Sequence, residues 1–139
     1  MTAEEYLGQV KKLDHQISVQ LEILSSLRDM TMRITGVMKE DVVSRTRDVH
    51  KLDDVVAKIV DLEKEIDGLV DEYVERKRDV ARTILMIGDQ DAEDVLHLHY
   101  ILYRPWKEIA EMKGLTLRTI HRYRDRGHKR VEELLAEKE

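Results

Sequence analysis

The sequence predicts an all-α protein in which a long helical hairpin or coiled-coil arm precedes a small domain of short helices. Charged residues make up 38% of the 139 residues and aromatic residues 4%, with no Phe, which favours helices with solvated outer faces over a thick core. Apolar residues recur at helical steps of three and four along most of the chain. Gly88 and Gly114 interrupt this periodicity and mark the ends of helical segments.

The first helix is predicted from Ala3 to about Ile34. Thr2 and Glu5 form a capping-box pattern at its start, and Gly36 is the expected stop. Its apolar positions form a narrow stripe along one side of the helix. The stripe comprises Tyr6, Val10, Leu13, Ile17, Leu21, Leu24 and Leu27.

A second long helix is predicted after the irregular residues 37–50, from apolar residues with heptad spacing. Three clean heptads favour a coiled-coil seam, until Arg76 and Thr83 interrupt the second row. This narrow seam is buried if the two long helices fold back on each other or if they pair with the helices of another chain. The same residues are also compatible with two long helices of an ordinary bundle. The first row is Leu52, Ile59, Ile66, Tyr73, Val80 and Ile87, and the second begins with Val55, Leu62 and Leu69.

A domain boundary is predicted near Gly88, which divides the chain into residues 1–88 and residues 89–139. Asp89 or Asp91 is expected to cap the next helix, because a carboxylate accepts hydrogen bonds from the free N–H groups of a first helical turn. Three short periodic segments follow, at residues 91–102, 105–113 and 117–135.

Residues 105–124, with the sequence PWKEIAEMKGLTLRTIHRYR, have the arrangement of a helix-turn-helix. Pro105 suits the start of a helix, Gly114 suits the left-handed turn, and Thr116 is expected to cap the second helix. A generic two-helix hairpin is the competing interpretation, and Gly127 either lies inside the second helix or ends it. The predicted core of the motif is Ile109, Ala110, Gly114, Leu115, which would fill the turn, and Ile120.

The second helix of this motif has a local excess of positive charge, although the net charge of the chain is -5. Residues 113–130 contain seven basic residues and one acidic residue, Asp125. A basic excess on one short element indicates a polyanion-binding face better than the charge of the whole chain does. The alternative interpretation is a basic helix face that contacts only solvent.

In a helix-turn-helix, the second helix enters the major groove of DNA with its N-terminal residues facing the base edges. This recognition helix is predicted at residues 117–126. Arg118 and Arg122 share a face and are the best candidates for paired hydrogen bonds to guanine. The predicted base-reading residues are Leu117, Arg118, His121 and Arg122. The predicted phosphate contacts are Lys107, Lys113, Thr116, Thr119, Arg124 and Arg126.

The C-terminal part resembles the fourth region of bacterial sigma factors. The shared pattern is an EIA-x-x-x-G turn followed by a T-x-x-x-I recognition helix, here formed by Glu108, Ile109, Ala110, Gly114, Thr116 and Ile120. In layout, the whole chain is similar to phage-encoded late transcription regulators of the ArpU and RinA type. The resemblance implies DNA binding near promoters, with RNA polymerase as a further partner, and no catalysis.

The sequence indicates neither an enzyme nor a protein that needs a cofactor. Glu93 and His97 are spaced for a metal pair but lack a third ligand, so no metal site is expected. The chain has no Cys, no phosphate-binding glycine loop and no recognisable Ser-His-Asp pattern. No apolar run is long enough to span a membrane, so we expect no membrane partner and a cytoplasmic protein.

The predicted function is sequence-specific binding of double-stranded DNA by a transcriptional regulator, encoded by a phage or prophage. A single helix-turn-helix covers only a few base pairs, so a homodimer formed through the long helices is expected. A phage DNA-packaging subunit of the small-terminase kind is one alternative, and it predicts a ring of many copies. A helical module that binds an acidic protein and no DNA is the alternative from another class.

Overall fold

The computed structural model describes residues 1–40 and 45–138, with the side chains of residues 1–38 and 46–138. Within these residues the chain forms α-helices, one π-helical turn and short connections, and no strand. The predicted all-α fold class is confirmed. The helices are α1 (Ala3–Glu40), α2 (Arg45–Leu85), α3 (Gln90–Leu96), which continues into the π turn (His97–Ile101), α4 (Trp106–Lys113) and α5 (Leu117–Lys138).

The start of α1 follows the capping-box prediction, but its end does not lie at Gly36. The Glu5 N–H donates to the Thr2 hydroxyl at 3.1 Å, so the cap is confirmed. The helix continues through Gly36 to Glu40. The apolar spacing also continues beyond the predicted stop, and the partly buried Met38 maintains it. An isolated glycine costs only about 1 kcal/mol in a helix, so it does not end one by itself.

The chain divides into two compact units. One comprises residues 1–14 and 73–139, and the other residues 15–72. The predicted boundary near residue 88 lies at the turn between α2 and α3, within the first of these units. Each unit therefore contains segments of both α1 and α2.

In the unit of residues 15–72, the two long helices pack against each other within one chain. Leu24 of α1 shares a buried cluster with Leu62 and Ile66 of α2, with Leu27 and Ile59 at its margin. The predicted seam is therefore covered by the first helix. The predicted stripe of α1 is wrong at Leu21, which is 48% exposed; the buried side of the helix passes through the partly buried Gln20 instead. Three or four residues separate Gln20 from Ile17 and Leu24, as one helix face requires.

In the other unit, the beginning of α1 and the end of α2 share one core with the short helices. Thr83, which interrupts the heptad row, is fully buried, and its hydroxyl lies 3.0 Å from the Tyr6 hydroxyl. The polar residue is thus satisfied by a hydrogen bond rather than left as a break in the packing. The core comprises Ala3, Tyr6, Leu7, Val10, Val80, Ile84, Ile87, Ala92, Leu96, Tyr100, Ile101 and Val131.

The turn before α3 and the turn after α4 have the predicted glycine conformation. Gly88 has φ 82° and Gly114 has φ 64°, both in the left-handed region that glycine adopts without strain. The Asp89 carboxylate accepts from the Ala92 N–H at 3.4 Å, so this cap is confirmed. Pro105 was predicted at the first position of α4. The helix begins at Trp106, so Pro105 is its N-cap instead.

The helix-turn-helix has its own small core. Ile109 and Ala110 of α4 are buried with Val95 of α3 and Ile120 of α5. The Thr116 hydroxyl accepts from the Thr119 N–H at 3.2 Å and caps α5.

Leu115 lies on the surface of the turn rather than filling it. Its side chain is 38% exposed. The turn is closed by the backbone instead, since the Leu115 N–H donates to the Ala110 carbonyl at 3.0 Å. Leu98 and Tyr123 pack against the small core as partly buried residues.

Gly127 lies inside α5, which continues to Lys138. A Cβ atom at this position would lie 2.6 Å from the Leu96 Cδ1 atom and 3.4 Å from the Ala92 Cβ atom. Gly127 therefore permits the close crossing of α5 and α3.

Candidate nucleic-acid interface

The outward side of α5 carries a row of exposed charged residues. Arg118, Arg122, Asp125 and Lys129 follow one another at steps of three and four, and all four are exposed. Ile120 and Val131 are fully buried, and so anchor the helix to the rest of the domain. Packing of one side thus orients three cations towards solvent.

Three members of the row are free to bind a ligand. Arg118 and Arg122 form no ion pair with any residue whose side chain the structure describes. The same holds for Lys129 and for Lys107 on α4. An arginine without an internal carboxylate partner keeps its donors available for the paired hydrogen bonds that guanine or phosphate accepts.

The other predicted base-reading residues flank this row. Leu117 is 41% exposed, so its side chain is available for apolar contact. His121 is partly buried on the side of α5 that also carries Arg124. The structure thus brings all four predicted base-reading residues to the N-terminal half of one helix.

Three of the predicted phosphate contacts have partners within the protein. The Arg126 guanidinium forms two hydrogen bonds to the Asp89 carboxylate, at 2.9 and 3.0 Å. Lys113 lies 3.4 Å from the carboxylate of Asp94. The paired Arg126 links α5 to the beginning of α3, a structural role that sequence spacing does not indicate.

Arg124 also has internal partners. Its Nε atom donates to the Asp125 carboxylate at 2.9 Å, and its guanidinium lies 5.7 Å from the centre of the Trp106 ring. Only 28% of this side chain is exposed. Of the remaining predicted phosphate contacts, Thr116 is exposed and Thr119 partly buried at the beginning of α5.

Lys129 is absent from the predicted site residues, although it belongs to the exposed row. Its spacing of seven from Arg122 is the signal that identifies it, because residues seven apart return to the same helix face. The predicted end of the recognition helix at residue 126 excluded it.

Beside α5 lies a cleft of about 580 Å³ that the sequence does not predict. Its wall includes His99 of the π turn, which stacks on Trp106 with ring centres 3.7 Å apart. The Tyr100 hydroxyl lies 2.8 Å from Nε2 of His128. The complete lining is Glu4, Gly8, His99, Tyr100, Trp106, Arg124, Asp125 and His128.

Burial shifts the pKa of three groups in this cleft. It lowers the pKa of His99 and His128, because removal from water disfavours the charged imidazolium, and Arg124 adds to both effects. It raises the pKa of Tyr100 to about 12, because the phenolate is disfavoured for the same reason. The cleft therefore holds neutral rings near neutral pH.

Neither a metal centre nor a membrane span is found in the described part of the chain. No three His, Cys, Asp or Glu residues there are grouped to hold a metal ion. None of the described helices is both long and apolar enough to cross a bilayer.

The fold and this surface define a small helical protein with a helix-turn-helix whose second helix has an exposed basic row. Residues 33–132 match the model of a family described as a protein of unknown function, DUF1492. The match covers more than half of the chain, so the protein belongs to this family. No curated protein and no solved structure matches the chain significantly.

Proposed function

We propose that the protein is a transcriptional regulator that binds double-stranded DNA, with the N-terminal half of α5 in the major groove. The observation that carries this proposal is the row of Arg118, Arg122 and Lys129, exposed and unpaired among the described side chains. The internal core fixes the direction of this row, so its cations are organised before DNA binds. Such preorganisation lowers the entropy that binding costs.

The individual roles follow from exposure and pairing. Arg118 and Arg122 read base edges, because they are unpaired and lie in the first turns of the recognition helix. Lys107 and Lys129 contact phosphates, where a flexible ammonium needs no fixed geometry. Arg126 acts first within the protein, since its two hydrogen bonds to Asp89 already occupy the guanidinium.

Two broader parts of the proposal rest on physical requirements and on resemblance. A single helix-turn-helix contacts only a few base pairs, so a homodimer on paired half-sites supplies the affinity that one copy lacks. The similarity in layout to phage-encoded late transcription regulators supports a phage or prophage origin, and the sigma-like pattern supports RNA polymerase as a further partner. We propose no catalytic role, because the unpaired side chains of the row are cations, which suit the binding of an anion.

The test begins with selection of preferred duplexes from a random-sequence library, followed by titration of the selected duplex and a scrambled one. Arg118→Ala and Arg122→Ala should each lose on the order of 1–3 kcal/mol of preference between the two duplexes. Lys107→Ala is the matched control, because it should weaken both duplexes alike and reduce the salt slope by about 1.

Three outcomes distinguish the alternatives. Absence of binding to any duplex at low salt overturns the proposal and favours the protein-interaction module. Equal losses on both duplexes for Arg118→Ala and Arg122→Ala would show that these residues grip phosphates and do not read bases. A ring of many copies in solution would favour the DNA-packaging subunit over the regulator.

A further inference from the structure

α2 carries a second apolar row that α1 does not cover. Val49, Val56, Val60 and Val70 lie outside the buried seam, and each is 39–44% exposed. Val49, Val56 and Val70 differ by multiples of seven, and Val60 lies four residues after Val56, which is the spacing of a coiled-coil seam. An exposed row with this spacing is typical of a helix that packs against another helix.

An ion pair shows which side of the hairpin this row occupies. Arg28 of α1 lies 3.1 Å from Glu63 of α2, and Glu63 is seven residues from both Val56 and Val70. On α1, Leu21 is seven residues before Arg28, and it is therefore on the same side. Met32, four residues after Arg28, is also there and is 73% exposed. Both helices thus contribute exposed apolar residues to one surface, which we call the ion-pair face.

The opposite side of the hairpin has a different composition. α1 contributes exposed apolar residues there too, such as Ile23 and Met30. The corresponding flank of α2, however, carries only charged residues at helical spacing. These are Asp54, Lys58, Asp61 and Glu65. Among the hairpin residues that the structure describes, the ion-pair face has large exposed apolar residues on both helices, whereas the opposite side has them on α1.

We infer that the ion-pair face binds a second copy of this chain, so that two hairpins form a four-helix bundle. The face is self-complementary around a two-fold axis parallel to the helices, which sets α2 of one copy against α1 of the other. The Arg28–Glu63 contact fixes the register. Leu21 lies seven residues before Arg28, and Val70 lies seven residues after Glu63. The two residues are therefore at the same level of the bundle, so Leu21 faces the partner's Val70.

The charges of the face agree with this occupant. In the bundle, Arg28 lies at the same level as the partner's Glu63, so that two basic and two acidic groups alternate across the centre. Asp53 and Asp67 lie between the exposed valines of α2, and their negative charges disfavour pairing of α2 with another α2. The charges therefore favour this bundle over the alternative two-fold arrangement, which stacks like helices.

The choice of a second copy rests on the proposed dimer on paired half-sites, but its test does not require DNA. Sedimentation equilibrium of the full chain should give twice the mass of one chain. Val60→Lys places an ammonium in the apolar row and should weaken the dimer by more than about tenfold. Ile23→Lys is the matched control on the opposite side of the hairpin, and it should leave the dimer intact.

Disulfide trapping tests the register, because the chain has no Cys of its own. Leu21→Cys protein mixed with Val70→Cys protein should form a mixed disulfide, whereas Ile23→Cys mixed with Val70→Cys should not. A monomeric wild type, or a Val60→Lys dimer as tight as the wild type, overturns the inference. A monomer that still prefers its selected duplex would overturn this interface alone and leave the proposed DNA binding intact.

Discussion

Gly127 allows α5 to cross α3 at close range, and its replacement provides a test at the scale of one residue. Gly127→Ala would place a Cβ atom 2.6 Å from Leu96, a side chain that is fully buried and has little room to move. Overpacking costs about 1–3 kcal/mol, and the better helix propensity of Ala returns about 1 kcal/mol. We expect a lower free energy of unfolding, measured by urea titration.

Gly68→Ala is the control for the propensity effect. Gly68 also lies inside a helix, but nothing lies within 4 Å of the position that its Cβ atom would take. This variant should be more stable than the wild type by about 0.5–1 kcal/mol. If Gly127→Ala gained as much stability as Gly68→Ala, the close crossing with Leu96 would not be the reason for the glycine.

His128 gives the stability of the protein a dependence on pH. Burial lowers the pKa of His128 below that of an exposed histidine, and Arg124, Glu4, Asp125 and Glu132 face it with smaller effects. The folded state therefore binds a proton less readily than the unfolded state. The stabilisation is present above about pH 6.5 and is lost as the pH falls through the lower pKa of the folded protein. His99 contributes with the same sign.

His128→Gln should reduce this loss of stability in acid. The free energy of unfolding, measured by urea titration at about pH 7.5 and about pH 5, should fall less for the variant than for the wild type. His15→Gln is the control, because His15 is exposed on α1. An unchanged pH dependence in His128→Gln would assign the effect to other groups.

At the scale of one element, the beginning of α5 depends on Thr116. Its hydroxyl accepts from the Thr119 N–H, so Thr116→Ala leaves a first-turn donor without its cap. We expect a loss of about 1 kcal/mol in the free energy of unfolding without DNA, and Thr116→Ser should restore most of it. A full loss in Thr116→Ser would show that the methyl group, and not the hydroxyl, supports the helix.

The elements were largely predictable because their signals are local. The capping residues Thr2, Asp89 and Thr116 act within three residues of their own position, and helical spacing identifies both long helices. The same spacing places Arg118 and Arg122 on one exposed face of α5. Gly36 was misread as a stop because a glycine ends a helix only where the chain must turn, and that depends on packing farther along.

The features that sequence reasoning missed depend on contacts distant in the chain. Arg126 pairs with Asp89, 37 residues away, and Gly127 is explained by Leu96 of another helix. His99, which stacks on Trp106, lies in the π turn, and this turn has no recognisable sequence signal. One sequence alone does not indicate which of these distant residues meet.

At the scale of the whole molecule, the core beneath the helix-turn-helix is assembled from both ends of the chain. Leu7 and Val10 of α1 are fully buried in the same cluster as Leu96 and Val131. A fragment of residues 89–138 therefore loses much of its apolar burial, at about 25 cal/mol for each Å² exposed to water. We expect this fragment to show low helicity by circular dichroism and no cooperative urea transition.

A second shortened variant distinguishes the effect of losing part of the core from the effect of shortening the chain. Replacing residues 15–72 with a short glycine-rich loop retains both parts of the unit that contains the helix-turn-helix. The segments to be joined flank the same core, since Val10 is buried in it and Tyr73 packs against it. This shortened protein should unfold cooperatively. If residues 89–138 alone unfolded as cooperatively, residue 88 would be the true boundary of an independent domain, and α1 would be dispensable for its stability.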